Sequence, residues 1–124
     1  MIEVRDIHWL AGLLEGEGCF QANRNVASPM ISLSMADSDV VQKVSVLWRS
    51  KISSHVPKPN PLRYPLAGPQ PTYKRVYTTR VYGSRAAGWG MTLYCLMGER
   101  RKKGIHDILA MWRRSKRRPN KEKE

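Results

Sequence analysis

Residues 9–18 read Trp9-Leu10-Ala11-Gly12-Leu13-Leu14-Glu15-Gly16-Glu17-Gly18, a short apolar segment that closes on two acids. Leu10, Leu13 and Leu14 recur at i, i+3 and i+4, so a helix there buries one stripe. Gly12 and Gly16, four apart, share a helix face. Each glycine costs about 1 kcal/mol against alanine in a helix interior, so a pair on one face points to close approach of another backbone. Asp6 suits the N-cap, and Gly18 suits a left-handed residue just past the end. Glu17 then lies at the negative end of the helix dipole, where an anion is disfavoured. A carboxylate in that place calls for a lysine, an arginine or a metal ion.

The nine residues Leu10 to Gly18 resemble the motif that names the LAGLIDADG homing endonucleases. Five of nine letters are identical, and Leu14, Glu15 and Glu17 are conservative replacements. The resemblance implies that two such helices pack together, through Leu10, Ala11, Gly12 and Gly16, at an interface between subunits. It also implies that Glu17, with the Gly16 backbone beside it, holds a divalent metal next to the scissile phosphates. Both acidic positions are Glu where the name has Asp, which lengthens the reach of the carboxylate.

The rest of the chain bears on this independently. The 124 residues suit one domain, read as 1–116 with a basic, fraying tail at 117–124. The formal charge of +12 points to a polyanion, most simply nucleic acid. No apolar run approaches a membrane span and no signal-peptide pattern opens the chain. Cys19 and Cys95, with no CxxC and no histidine cluster, read as buried thiols in a reducing, intracellular compartment. The motif has no second copy, so a second motif helix has to come from a second chain.

Downstream, residues 19–28 read as a strand with Phe20, Ala22 and Val26 on one face. Gln21, Asn23 and Asn25 lie on the other, where amide side chains can read adenine edges or simply meet solvent. Residues 30–36 alternate more cleanly, with Ile31, Leu33 and Met35 inward and Ser32 and Ser34 outward. Asp37-Ser38-Asp39 opens a helix carried by Val40, Val44, Leu47 and Trp48. Asp37 has two readings. It caps this helix, or, as the resemblance implies for this strand-to-helix junction, it lies near the metal-water site.

Residues 52–56 form a short strand with Ile52 and Val56 inward and Ser53 and His55 opposite. Six of the eight prolines then fall between Pro57 and Pro71, which excludes regular structure there. Lys58 and Arg63 decorate that loop, which suits either reach along DNA or a solvated insertion. Residues 73–82 are rich in strand formers, with Tyr77, Thr79 and Val81 inward and Thr78 and Arg80 outward, after Lys74. Ser84 caps a helix through Ala86, Trp89, Leu93, Leu96 and Met97, stopped by Gly98. The run Glu99-Arg100-Arg101-Lys102-Lys103 precedes a last helix with Ile105, Ile108, Leu109 and Trp112 on one face. Four adjacent cations oppose the positive end of that helix, an arrangement that suits nearby phosphates as well as solvent. The resemblance implies a basic residue here that assists cleavage, and Arg101 is the match, with Arg100 and Lys102 beside it.

The order of elements resembles the αββαββα core of the same family over nearly the whole chain. That implies an α+β fold with a curved antiparallel four-stranded sheet saddling the DNA major groove and helices on the other face. One motif per chain implies a two-fold homodimer and a pseudo-palindromic double-stranded DNA target. The implied activity is site-specific phosphodiester hydrolysis with Mg²⁺ or Mn²⁺, leaving short 3′ overhangs. Two other readings stay open on the same fold: a non-catalytic DNA-binding regulator, and an intron maturase acting on RNA.

Overall fold

The computed structural model describes residues 2–23, 28–63, 68–69 and 72–117. Eight elements follow in order: α1 (Val4–Glu17), β1 (Gly18–Asn23), β2 (Ser28–Met35), α2 (Ser38–Trp48), β3 (Ile52–His55), β4 (Val76–Tyr82), α3 (Gly83–Tyr94) and α4 (Glu99–Arg117). The four strands make one antiparallel sheet in the order β1-β2-β4-β3. The helices pack on one face of it. The fold is α+β, as expected, with the basic run forming the first turns of a separate fourth helix.

Why α1 forms is plain from its ends and its stripe. Glu3, extended, stands at the N-cap. Its N–H donates to Asp6 Oδ2 at 3.0 Å, so Asp6 sits in the first turn and the helix begins before the expected cap. Leu10 and Leu14 are wholly buried, Ala11 nearly so, and Leu13 is half-buried. Gly18 is extended, not left-handed, because it is the first residue of β1. It has to be glycine for a steric reason: a Cβ there would meet the Leu14 side chain and carbonyl oxygen at 2.8 Å.

The central strand β2 shows the cleanest alternation. Ile31 and Leu33 are buried beneath the helices, while Ser34 on the opposite face is exposed. In α2 the buried positions are Val41, Val44 and Trp48, so Val41, and not Val40, carries the first core contact. Arg49 then ends α2 in a left-handed conformation, φ 52°, and Ser50 N–H closes the turn onto the Ser45 carbonyl. β3 departs most from expectation. All four of its residues are exposed: Ile52, paired with buried Thr79, keeps the inward parity yet is 38% exposed, and Val56 is 47% exposed. It is a short edge strand paired only with β4.

In β4, Thr79 and Val81 are buried. Thr79 Oγ1 donates to the Lys51 carbonyl at 3.0 Å and bonds the Ser50 hydroxyl, tying the α2–β3 connection to the sheet. α3 begins at Gly83 and ends at Tyr94. Ser84 therefore lies inside its first turn, and the helix stops before Gly98. Leu96 is exposed while Met97 is buried. Ile105 of α4 completes a core whose largest member is Trp48. Fully burying each such leucine or isoleucine is worth roughly 1.5–3 kcal/mol. Cys19 is half-buried and Cys95 exposed, so neither is the buried thiol its spacing suggests.

Candidate active site and nucleic-acid surface

Strand register decides which residues share an end of the sheet. Gly18 pairs with Leu33, so β2 runs on through Met35 past the point where α1 enters β1. Asp37 therefore lies at the same end of the sheet as Glu17. Met35 pairs with Tyr77, and His55 with Val76, which puts His55 at that end as well. Residues as far apart in sequence as Glu17 and Tyr77 gather there.

Glu17 is the last residue of α1. It is exposed, makes no hydrogen bond or ion pair among the described residues, and has no basic residue in its own last turn. The helix dipole and the orphan carbonyls of that turn add partial negative charge around it. Asp37 occupies the N-cap of α2, yet its side chain makes no cap hydrogen bond. Its carboxylate is thus not consumed by the capping role the sequence allowed.

Arg101 reaches this region through α1. Its Nε donates to the Glu15 carbonyl at 3.2 Å, two residues before Glu17, and its guanidinium lies 6.0 Å from the Phe20 ring centroid. The Glu15 carboxylate accepts the Gly98 N–H at 3.0 Å, so it holds the start of α4 against the end of α1. A Cβ at Gly98 would sit 2.7 Å from Glu15 Oε1, so a larger residue there would displace that carboxylate. Nothing local in the sequence announces a pair 83 residues apart. Lys102 is half-buried, 3.9 Å from Glu99 and 5.8 Å from the Tyr94 ring centroid, while Arg100 is exposed.

The face of the sheet away from the helices carries Gln21, Ser32, Ser34, Arg80 and His55, as parity and register require. Gln21, Ser34, Arg80 and His55 are exposed and Ser32 is half-buried. Thr78 shares that face but is buried, and its hydroxyl bonds Ser34 Oγ at 2.8 Å. It braces the sheet and is not free to contact a ligand, a correction to its expected role. Asn23 pairs with Ser28 at the end of β1; Asn25 lies outside the described residues. Lys58 is exposed within the proline-rich stretch and Lys74 just after it, and Arg63 is exposed in a turn closed by its N–H to the Asn60 carbonyl.

The outer surface of α1 differs from the one the motif implies. Leu10 and Ala11, 0% and 3% exposed, belong to the chain's own core and present nothing to a second chain. Gly12 and Gly16 are exposed, and an added Cβ at either would meet nothing within 4 Å.

Oxygen donors such as Glu17 and Asp37 suit a hard divalent cation that keeps several waters. Among the described residues no group of three or more His, Cys, Asp or Glu side chains gathers to hold a metal. The oxygen-donor chemistry of these two side chains is of the kind Mg²⁺ takes.

No protein-family model matches the chain, and no curated protein matches it in sequence. Solved structures do match. The homing endonuclease I-CvuI in complex with its target, in the presence of calcium, aligns at a TM-score of 0.59 and 10% identity, over 91% of this chain and 69% of that one. I-CvuI bound to the I-CreI target with magnesium, its DNA not cleaved, gives 0.56 and 12% over the same shares. The archaeal intron-encoded homing endonuclease I-Vdi141I, complexed with DNA, gives 0.50 and 11% over 94% of this chain and 86% of that one. At these identities the likeness is one of fold. The chain has the fold of the homing endonucleases, the class that residues 10–18 resemble. Among the described residues no helix is long and apolar enough to cross a membrane.

Proposed function

We propose that this protein is a site-specific double-strand DNA endonuclease of the homing type, working as a two-fold homodimer with Mg²⁺ or Mn²⁺. The observation that carries the reading is Glu17: an exposed carboxylate, unpartnered among the described residues, at the C-terminal end of a helix that buries one stripe, at the end of the sheet that also presents Asp37. A divalent cation, when bound, supplies water activation and stabilises the leaving oxygen of an in-line phosphodiester hydrolysis.

The chain's own residues would divide the remaining work. Glu17, with the Gly16 carbonyl beside it, holds the cation, and a second copy supplies the matching carboxylate. Packing the Gly12 and Gly16 faces of two α1 helices together brings the two Glu17 side chains to one place. Asp37 orients water near the scissile phosphate. Arg101, fixed by the Glu15 carbonyl, offers positive charge to the phosphate as negative charge develops there. Gln21, Ser32, Ser34, His55 and Arg80 line the face that meets the major groove, with Asn23 at its far end. Lys58, Arg63, Lys74, Arg100 and Lys102 meet phosphates. Access to DNA places the protein wherever its genome lies.

A target selected from a random duplex library tests this. Cleavage that requires Mg²⁺, yields 3′ overhangs and vanishes in Glu17→Gln with binding retained is the expected result. Binding without cleavage in any divalent cation would replace the enzyme with a DNA-binding regulator. Selective binding of structured RNA would favour the maturase reading.

A further inference from the structure

A second charged feature lies at the opposite end of the sheet from Glu17. β3 pairs with β4 only over Val76 to Thr79, so the β3-side edge of β4 is unpaired from Arg80 to Tyr82. Beside this bare edge opens a groove of about 570 Å³, rimmed by Arg49, Lys51, Arg80 and Arg85, with Ser50 and Tyr82 among its lining. All four cations are exposed. None is in an ion pair among the described residues, whose three pairs lie elsewhere.

Two of the four stand where local physics disfavours them. Arg49 is the sole non-glycine residue with positive φ among the described residues, a backbone state that glycine adopts without penalty at a helix end. Arg85 lies in the first turn of α3, where no acid accompanies it, against the positive end of the helix dipole. Four like charges converge without a counter-charge, next to serine hydroxyls and unpaired strand backbone. We infer that this groove binds the phosphodiester backbone of a nucleic-acid duplex, away from the scissile bond and without reading sequence. The inference rests on the DNA-binding reading above and adds Arg49, Lys51 and Arg85 to the surface that the sheet face supplies. A phosphate seated there would be met by guanidinium forks, with the Ser53 hydroxyl beside them.

The test compares wild type, a groove variant (Arg49→Gly, Lys51→Gln, Arg85→Gln) and a charge-matched control (Arg5→Gln, Lys43→Gln, Arg113→Gln). Each is titrated with random-sequence duplex DNA across a range of NaCl concentrations. Each phosphate contact contributes about 0.9 to the slope of log affinity against log salt. The groove variant is expected to flatten that slope by roughly 2–3, and the control to change it far less. Arg49→Gly alone, which suits the left-handed backbone, is expected to flatten it by about 1 with no loss of thermal stability. Equal slopes for the groove variant and the control would overturn the groove site while leaving DNA binding intact. Failure of the wild type to bind the duplex would instead overturn both readings.

Discussion

Two pairs of glycines lie in or against α1, and they have opposite surroundings. Gly18 and Gly98 face atoms of the chain itself: a Cβ on the first would strike the Leu14 backbone and side chain at 2.8 Å, and on the second the movable Glu15 carboxylate at 2.7 Å. Gly12 and Gly16 face open space. The helix accepts the glycine penalty twice without using the room inside its own chain, which is what the proposed packing against a second copy would use. The contrast separates glycines packed within the chain from glycines assigned to the proposed subunit contact. It also frames Glu17, which the fold tolerates at a disfavoured place without giving it a partner.

The sharpest way to break this contrast is at Glu17. Glu17→Gln is expected to reduce cleavage of the selected target by about 10³-fold or more, on the scale where about 1.4 kcal/mol is tenfold, with DNA affinity nearly unchanged by gel shift. The same substitution is expected to raise folding stability by a few tenths of a kcal/mol at low salt, because it removes an exposed anion from a helix C-terminus. Denaturant titration of both proteins reads that sign, and lower stability would show that the carboxylate has a structural partner.

Next in size is Gly18→Ala, expected to cost about 2–3 kcal/mol through overpacking against the α1 backbone. Gly98→Ala should cost less, about 1 kcal/mol, since the flexible Glu15 carboxylate can yield at the expense of its bond to the Gly98 N–H. Urea midpoints order the two, and a reversed order would refute the steric account. Gly12→Ala completes the comparison with the opposite sign. Subunit stability is expected to rise by about 0.8 kcal/mol from helix propensity, while self-association weakens by about tenfold or more, near 1.4 kcal/mol. Sedimentation velocity on the DNA-bound protein checks the second half. An unchanged association constant would remove Gly12 from any subunit contact.

Legibility in the sequence followed the range of the interactions. β2 was readable because a strand with one buried face writes its burial as alternation, Ile31 and Leu33 against Ser32 and Ser34. β3 was not, because an edge strand has no buried face to write. Ile52 and Val56 look inward by composition and are exposed in fact. Thr78 looked like a surface hydroxyl and proved buried against Ser34. Its burial comes from a neighbouring strand 44 residues away, which no local pattern carries. Asp37 kept both readings in sequence, and only the absence of a cap hydrogen bond leaves its carboxylate available.

By itself, the order of residues determined the α+β layout, the buried stripe of α1, the basic character and the placing of an acid at a helix end. These depend on periodicity, propensity and charge, which are local quantities. Tertiary structure decided the rest. It sent Leu10 and Ala11 into the subunit core, bound Glu15 to Gly98 and Arg101, and set Asp37 at the same end of the sheet as Glu17. It also gathered Arg49, Lys51, Arg80 and Arg85 round the bare edge of β4. Each of these depends on strand register and helix packing between distant segments, and register emerges only when the whole sheet closes on its core.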